Sequence, residues 1–280
     1  FVAEQLKGKR VSPALPAKRE QVLADARPLY TIDKKELWSN TVYPASEGDN
    51  WFVSGTAAYW QMLNALPKDP EAAAVQLRDQ LTDLNCRLLY TVDREGALAP
   101  RAAERRYDRY GHYVIPRIRG TYALHQLRML LGNETFLKTM QGVHERFREK
   151  PMSTADFLAA AEKSAGRPVG EHVLPWLERD DLPAVTVTSA TAAPAGDAWR
   201  VTLVIHQEGR PYPFTTTVAA ESEKEVEYDV VSVKSADEQV SFQVKNPQQF
   251  VTQVVGTQGM YRTDDIEARL RAMLLSKLQD

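Results

Sequence analysis

A single cysteine, Cys86, stands among the 280 residues, so the chain can neither close an internal disulfide nor build a cysteine-based zinc site. Its neighbours, "LTDLNCRLLY", are apolar and predict a buried, inert thiol rather than a nucleophile. Long hydrophobic runs are also missing: none approaches the ~20 residues that a membrane-spanning helix needs, so no transmembrane segment is expected. Neither charge sign dominates. Thirty-five Lys and Arg face 37 Asp and Glu, giving a net charge of −2, which excludes a global field that draws in nucleic acid or an anionic membrane. The basic run "RAAERRYDRY" (101–110) is interrupted by acids and reads as a solvated face. An initiator methionine and a signal-like segment are lacking too; a chain that begins at Phe1 in this way is expected to be an excised or processed piece.

Chemical motifs are equally scarce. Two zinc-binding histidines on one helix must stand four residues apart to face one ion, and no pair among His112, His125, His144, His172 and His206 does. "HERFR" (144–148) starts like such a motif and ends on Arg148, a cation. His144 is therefore expected to be a plain surface histidine, His125 a core-edge residue among apolar neighbours, and His206 a cross-strand partner. There is no G-x-S-x-G elbow and no glycine-rich phosphate loop. Ser54 in "VSGTA" precedes a glycine but lacks the leading glycine and strand of an elbow. Glu145, Glu149 and Glu162 are expected on solvated helical faces. From pattern alone no active site is visible.

What is present is an ordinary core-forming composition, 43% hydrophobic and 26% charged, in a chain longer than the usual single domain. Up to about residue 180 the period is helical. "PEAAAVQLRDQLTDLNCRLL" (70–89) opens on a proline, "RGTYALHQLRMLLG" (119–132) stops at Gly132, and Asn133 is the expected N-cap of the next helix. Ser153 or Thr154 opens a helix that Gly166 ends, and "GEHVLPWLERDDLP" is a short final one. After Pro183 the pattern alternates in short Val- and Thr-rich strands separated by turn residues, which predicts a small β-sandwich. "TDDIEARLRAMLLSKLQD" returns to a helix with Thr263 as N-cap. The fold class is α+β and multidomain: a helical domain over 1–181, a β-sandwich over 182–256 and a helical tail over 257–280.

One stretch resembles a known family. The segment from "GTYALHQLRMLLG" through "STADF" and "PWLERDDLPAVTV" (120–187) is similar to the carboxy-terminal part of the gluzincin zinc aminopeptidases, the aminopeptidase N and leukotriene hydrolase type. Upstream, "TIDKKELWSNTVYPASEGDNWFVSGTAAYW" (31–60) aligns without a gap to the family's zinc helix H-E-x-x-H-x-W-x-G-N and the following W-L-N-E-G-F-A-x-Y. Asn40, Val42, Pro44, Trp51, Gly55, Ala57 and Tyr59 keep the scaffold positions. The catalytic positions implied by the resemblance are all changed. The zinc histidines fall on Thr31 and Lys35, the general base on Ile32, the third ligand on Ser54 and the transition-state tyrosine on Arg117.

Those replacements remove the chemistry. Zinc takes His, carboxylate or thiolate donors; neutral hydroxyls are poor ligands, and an ammonium has no free lone pair. Isoleucine cannot accept a proton from water. The resemblance thus implies a catalytically inactive aminopeptidase-like domain that needs no zinc and serves as a binding or scaffolding module. Its expected partners are a peptide or protein segment in the vestigial groove and other domains of a longer chain. The alternative is an active zinc metallopeptidase whose ligands are non-standard or lie outside this chain. Bacterial members of the family suggest an extracytoplasmic location.

Overall fold

A computed structural model describes residues 41–101, 110–221, 226–244 and 251–255. Among the described residues six α-helices occupy the first part: α1 (Asn50–Ala65), α2 (Pro70–Glu95), α3 (Gly111–Leu131), α4 (Asn133–Phe147), α5 (Thr154–Ala165) and α6 (Gly170–Glu178). Two short strands, β1 (Val42–Pro44) and β2 (Lys150–Met152), pair in parallel beside them. Strands β3 (Ala184–Ala195), β4 (Ala198–Glu208), β5 (Phe214–Glu221), β6 (Val226–Val233), β7 (Asp237–Val244) and β8 (Val251–Val255) follow.

The local signals act largely as expected. Asp69 caps α2, its carboxylate accepting from Ala72 N at 2.8 Å with Pro70 just inside the helix. Ser153 and Asp156 form a reciprocal capping box on α5, and Gly166 closes that helix. Two helices run further than their periodicity suggested: α2 continues to Glu95, and α3 begins at Gly111 despite Pro116. Gly132, not Asn133, occupies the N-cap of α4. The Asn133 side chain instead accepts from Arg128 Nε at 2.6 Å, a tertiary use that displaces the capping role.

The alternating segments form two three-stranded antiparallel sheets, ordered β3-β4-β7 and β6-β5-β8. Val201, Leu203 and Ile205 of β4, Val240 and Phe242 of β7, and Val218 of β5 are buried in the same apolar core as the helices. The core is therefore continuous across the junction at residues 179–183.

The helices are organised around one close crossing. A Cβ built on Gly120 of α3 comes to 2.5 Å from the Trp51 carbonyl oxygen, and one on Gly55 of α1 to 2.7 Å from the Gly120 carbonyl carbon. Only hydrogen at both positions allows the two backbones to approach this far. Thr121 then reaches across, donating to Gly55 O at 3.4 Å and more closely to its own Arg117 O at 2.9 Å.

Gly120→Ala is expected to lower unfolding free energy by about 2–3 kcal/mol, because the new methyl meets backbone rather than a side chain that can swing away. Gly142→Ala on α4, where a Cβ meets nothing within 4 Å, is expected to raise it by about 0.5–1 kcal/mol. Urea denaturation of the two variants measures both; equal and small effects would refute the crossing constraint.

Candidate functional site

Asp49, Ser54, Tyr59 and Gln61 all lie on or beside α1, so the candidate site is built outward from that helix. At its start Asp49 is buried, and one carboxylate oxygen accepts from Thr154 N and Thr154 Oγ1, both at 2.8 Å. The other accepts from Ser46 Oγ at 2.6 Å. Burial alone raises the Asp49 carboxyl, but these hydrogen bonds and the charge of Arg101 outweigh it and hold it below its ordinary value. Trp51 Nε1 also donates to Thr154 Oγ1 at 2.8 Å, and its ring packs edge-on to Phe157. One threonine at the head of α5 thus ties down the N-cap residue of α1 and its second residue. Sequence reasoning gave Asp49 and Thr154 no such joint role, since they are 105 residues apart.

Ser54, the position aligned with a zinc-binding carboxylate, is half-buried. Its hydroxyl turns back on its own helix and donates to Asn50 O at 3.0 Å. Arg117 is exposed on α3, and its guanidinium lies 3.5 Å from Gln61 Oε1, two turns along α1 from Ser54. The structure brings both residues to the α1–α3 pair but puts no hydrogen bond between them. Thr31, Ile32 and Lys35 lie outside the described residues, as do Asn40 and Thr263.

Among the scaffold positions Trp51, Gly55 and Tyr59 are buried, and so is Val42 on β1. Ala57 is not. It faces solvent, and Ala58 takes the packing position, because residues three and four beyond Gly55 share its face whereas a residue two beyond points away.

Deeper in the crossing, Tyr59 Oη and His125 Nδ1 are 2.9 Å apart, and Arg128 Nη1 donates to Tyr59 Oη at 3.2 Å. His125 is a core residue rather than the core-edge one expected, enclosed because α3 is buried nearly all round from Ile118 to Arg128. Burial pulls its imidazole down to about 3, and the Arg128 charge pulls the same way; burial likewise raises the Tyr59 phenol, against the opposing pull of Arg128. His144, expected on the open surface, is half-buried with Nε2 2.9 Å from Thr41 Oγ1. His206 pairs across the sheet with Asp237 at 2.7 Å, as expected. Glu162 is not simply solvated: one oxygen accepts from Val169 N at 3.1 Å and Gly170 N at 3.2 Å, holding the start of α6. Cys86 is buried, in line with an inert thiol.

A second cluster, missed in the sequence, joins helices to sheets. Arg119 is fully buried, and its guanidinium donates to Trp176 O at 2.8 Å, Asp181 O at 2.9 Å, Pro175 O at 3.3 Å and Tyr212 Oη at 3.1 Å. It therefore satisfies carbonyls at the end of α6, where a cation also meets the favourable end of the helix dipole. Arg179 lies over the Tyr212 ring at 3.7 Å while bonding Asp181. Gln126 Oε1 accepts from Thr215 N of β5 at 2.9 Å. The available signal was the two-residue step between Arg117 and Arg119: along a helix it turns one arginine outward and the other inward.

As a zinc site the described residues do not fit. No group of three or more His, Cys, Asp or Glu side chains among them is arranged to hold a metal ion, and the Ser54 hydroxyl is engaged with a backbone carbonyl. An open depression lined by Asp69, Val75, Asp79 and Asp83 lies on α2, and none of its lining residues belongs to the α1–α3 pair. No helix among the described residues is long and apolar enough to cross a membrane.

Comparison with known proteins places the fold. The chain is similar to Legionella pneumophila aminopeptidase A, solved in complex with aspartic acid, at a TM-score of 0.55 and 14% identity over 83% of this chain. It spans 26% of that protein's length. At this identity the likeness concerns the fold alone: the chain is aminopeptidase-like in architecture. Mutant forms of a zinc metallopeptidase from Deinococcus radiodurans, one bound to a Tyr-ser-ala substrate, also match over 52% of this chain and 31% of theirs, at 22–23% identity and a TM-score of 0.40. A family model, "SPFH domain-Band 7 family", matches residues 217–280, less than a quarter of the chain. No curated protein matches.

The Tyr59–His125 pair gives a pH test. The folded-state value of His125 is depressed, so the unfolded chain binds the extra proton. Stability is then complete above about pH 6.5 and falls as pH drops toward 3, by up to ~1.4 kcal/mol per pH unit. Urea denaturation across that window is expected to show the slope, and a flatter one in His125→Gln. An unchanged slope in the variant rules the assignment out.

Proposed function

We propose that this chain is a catalytically inactive aminopeptidase-like domain that works as a binding or scaffolding module. In this reading residues 1–181 form the helical unit, 182–256 a β-sandwich and 257–280 a tail, and the larger protein's other domains are among its partners. The observation that carries the reading is Ser54. It sits beside the glycine crossing, its hydroxyl is spent on the Asn50 carbonyl, and no carboxylate or imidazole stands with it among the described residues in a metal-holding group. Arg117, directed to Gln61, adds a cation to a region that would have to hold a divalent one.

Core packing and site chemistry are separable, so a chain can keep the first after losing the second. The crossing, the Asp49–Thr154 bolt and the buried Tyr59 need no metal to persist. Zinc binding by Thr31, Lys35 and Ser54 is disfavoured by donor type, and Ile32 supplies no base.

Elemental analysis of the purified chain after zinc equilibration is expected to find far less than one zinc per chain, and aminoacyl reporter substrates are expected to remain intact. Ser54→Glu, which restores one carboxylate, is expected to change neither result. Stoichiometric zinc in the unaltered chain, or zinc-dependent release of the reporter, would overturn the proposal in favour of an active metallopeptidase with non-standard ligands.

A further inference from the structure

Strand β3 lies at a sheet edge. Among the described residues its one strand partner is β4, and the backbone N–H and C=O groups along its other side face no strand. Such a row is a template for another strand, and folded proteins usually blunt it with charge, brevity, bulges or proline. β3 is 12 residues long and carries no charged side chain. Its bulge falls between Val187 and Ser189, and its proline is Pro194, so the five residues between them are left unblunted. Ser189, Ala190, Thr191 and Ala193 are exposed, and Ala192 alone of the five is half-buried against the core.

The other outer strands differ. β7 carries Asp237 and Glu238, β6 carries Glu227 and Asp229, and β8 is only five residues long. At the end of β3, a two-residue turn with Gly196 at φ 68° sets Pro194 opposite Trp199. The indole stays 36% exposed next to the open edge.

We propose that β3 pairs with β3 of a second copy of this chain, antiparallel across a two-fold axis. Such an axis sets the residue on it against its own copy, so a charge at that position would face a like charge. An edge of Ser, Ala and Thr meets that condition, and its small side chains leave the approaching backbone unobstructed. A foreign peptide chosen by charge would find nothing here to select it. Trp199 and Pro194 extend the contact with apolar surface at each end.

The test uses the full chain with Cys86→Ala and Thr191→Cys, spin-labelled at position 191, with sedimentation followed at rising concentration. The expected result is a monomer–dimer equilibrium in which the labels couple at no more than ~25 Å, because strands rise ~3.3 Å per residue and the axis lies within residues 189–193. Ser189→Lys with Thr191→Lys, in the otherwise natural chain, is expected to weaken the dimer at least tenfold. Gln243→Lys on β7 is expected to leave it unchanged. A monomer at every concentration, a dimer whose labels do not couple, or one indifferent to the lysine pair overturns the proposal. A monomer that takes up only an added extended peptide at β3 also overturns it and assigns the edge to a foreign strand.

Discussion

Where α1 and α3 cross, two backbones meet with only glycine hydrogens between them, and the placement of most other buried groups follows from that distance. With α3 held this close, Tyr59 reaches His125 and Arg128, and Thr121 reaches the Gly55 carbonyl. Because α3 is rigidly seated, its remaining faces can serve as an internal post. Arg119 and Gln126 leave that post in the direction of α6 and β5 and bind backbone groups there. The continuous apolar core gives bulk stabilisation without direction; these hydrogen bonds set the orientation of helices against sheets.

The same crossing fixes what the candidate site has to work with. Ser54 is next to Gly55, so its side chain is carried to the α1–α3 pair regardless of what chemistry it offers. Arg117 precedes Gly120 by three residues and is carried there for the same reason. A serine that bonds its own helix and an arginine that leans on a glutamine make this part of the α1–α3 pair a polar surface. Glycine and buried aromatics bear the load of packing here, so the architecture does not depend on which side chains stand at the Ser54 and Arg117 positions.

Much of the helical order was legible because the signals are local. Asp69 with Pro70, Ser153 with Asp156, and Gly132 and Gly166 at helix ends each act within a few residues, where side chain and backbone meet whatever the rest of the chain does. The strands after Pro183 were legible for a similar reason, through an alternation that survives folding. Ala57 and His125 were misplaced because a family position or apolar company in sequence does not say which side of a helix becomes enclosed. Glu162 was read as solvated because its hydrogen-bond donors, two backbone amides at the head of α6, become neighbours only after α5 and α6 dock.

The sequence by itself determined most of the element types, several of the caps, the exclusion of an internal disulfide, and which donor atoms Ser54 can offer, since donor atoms belong to residue types. Only the tertiary structure decided which polar groups are buried and what satisfies them. Asp49 found Thr154 across 105 residues, and Arg119 found the carbonyls of Pro175, Trp176 and Asp181. The physical reason is range. A cap or a periodic face is settled by neighbours along the chain, whereas a buried charge is stable only where distant segments converge to replace its lost water.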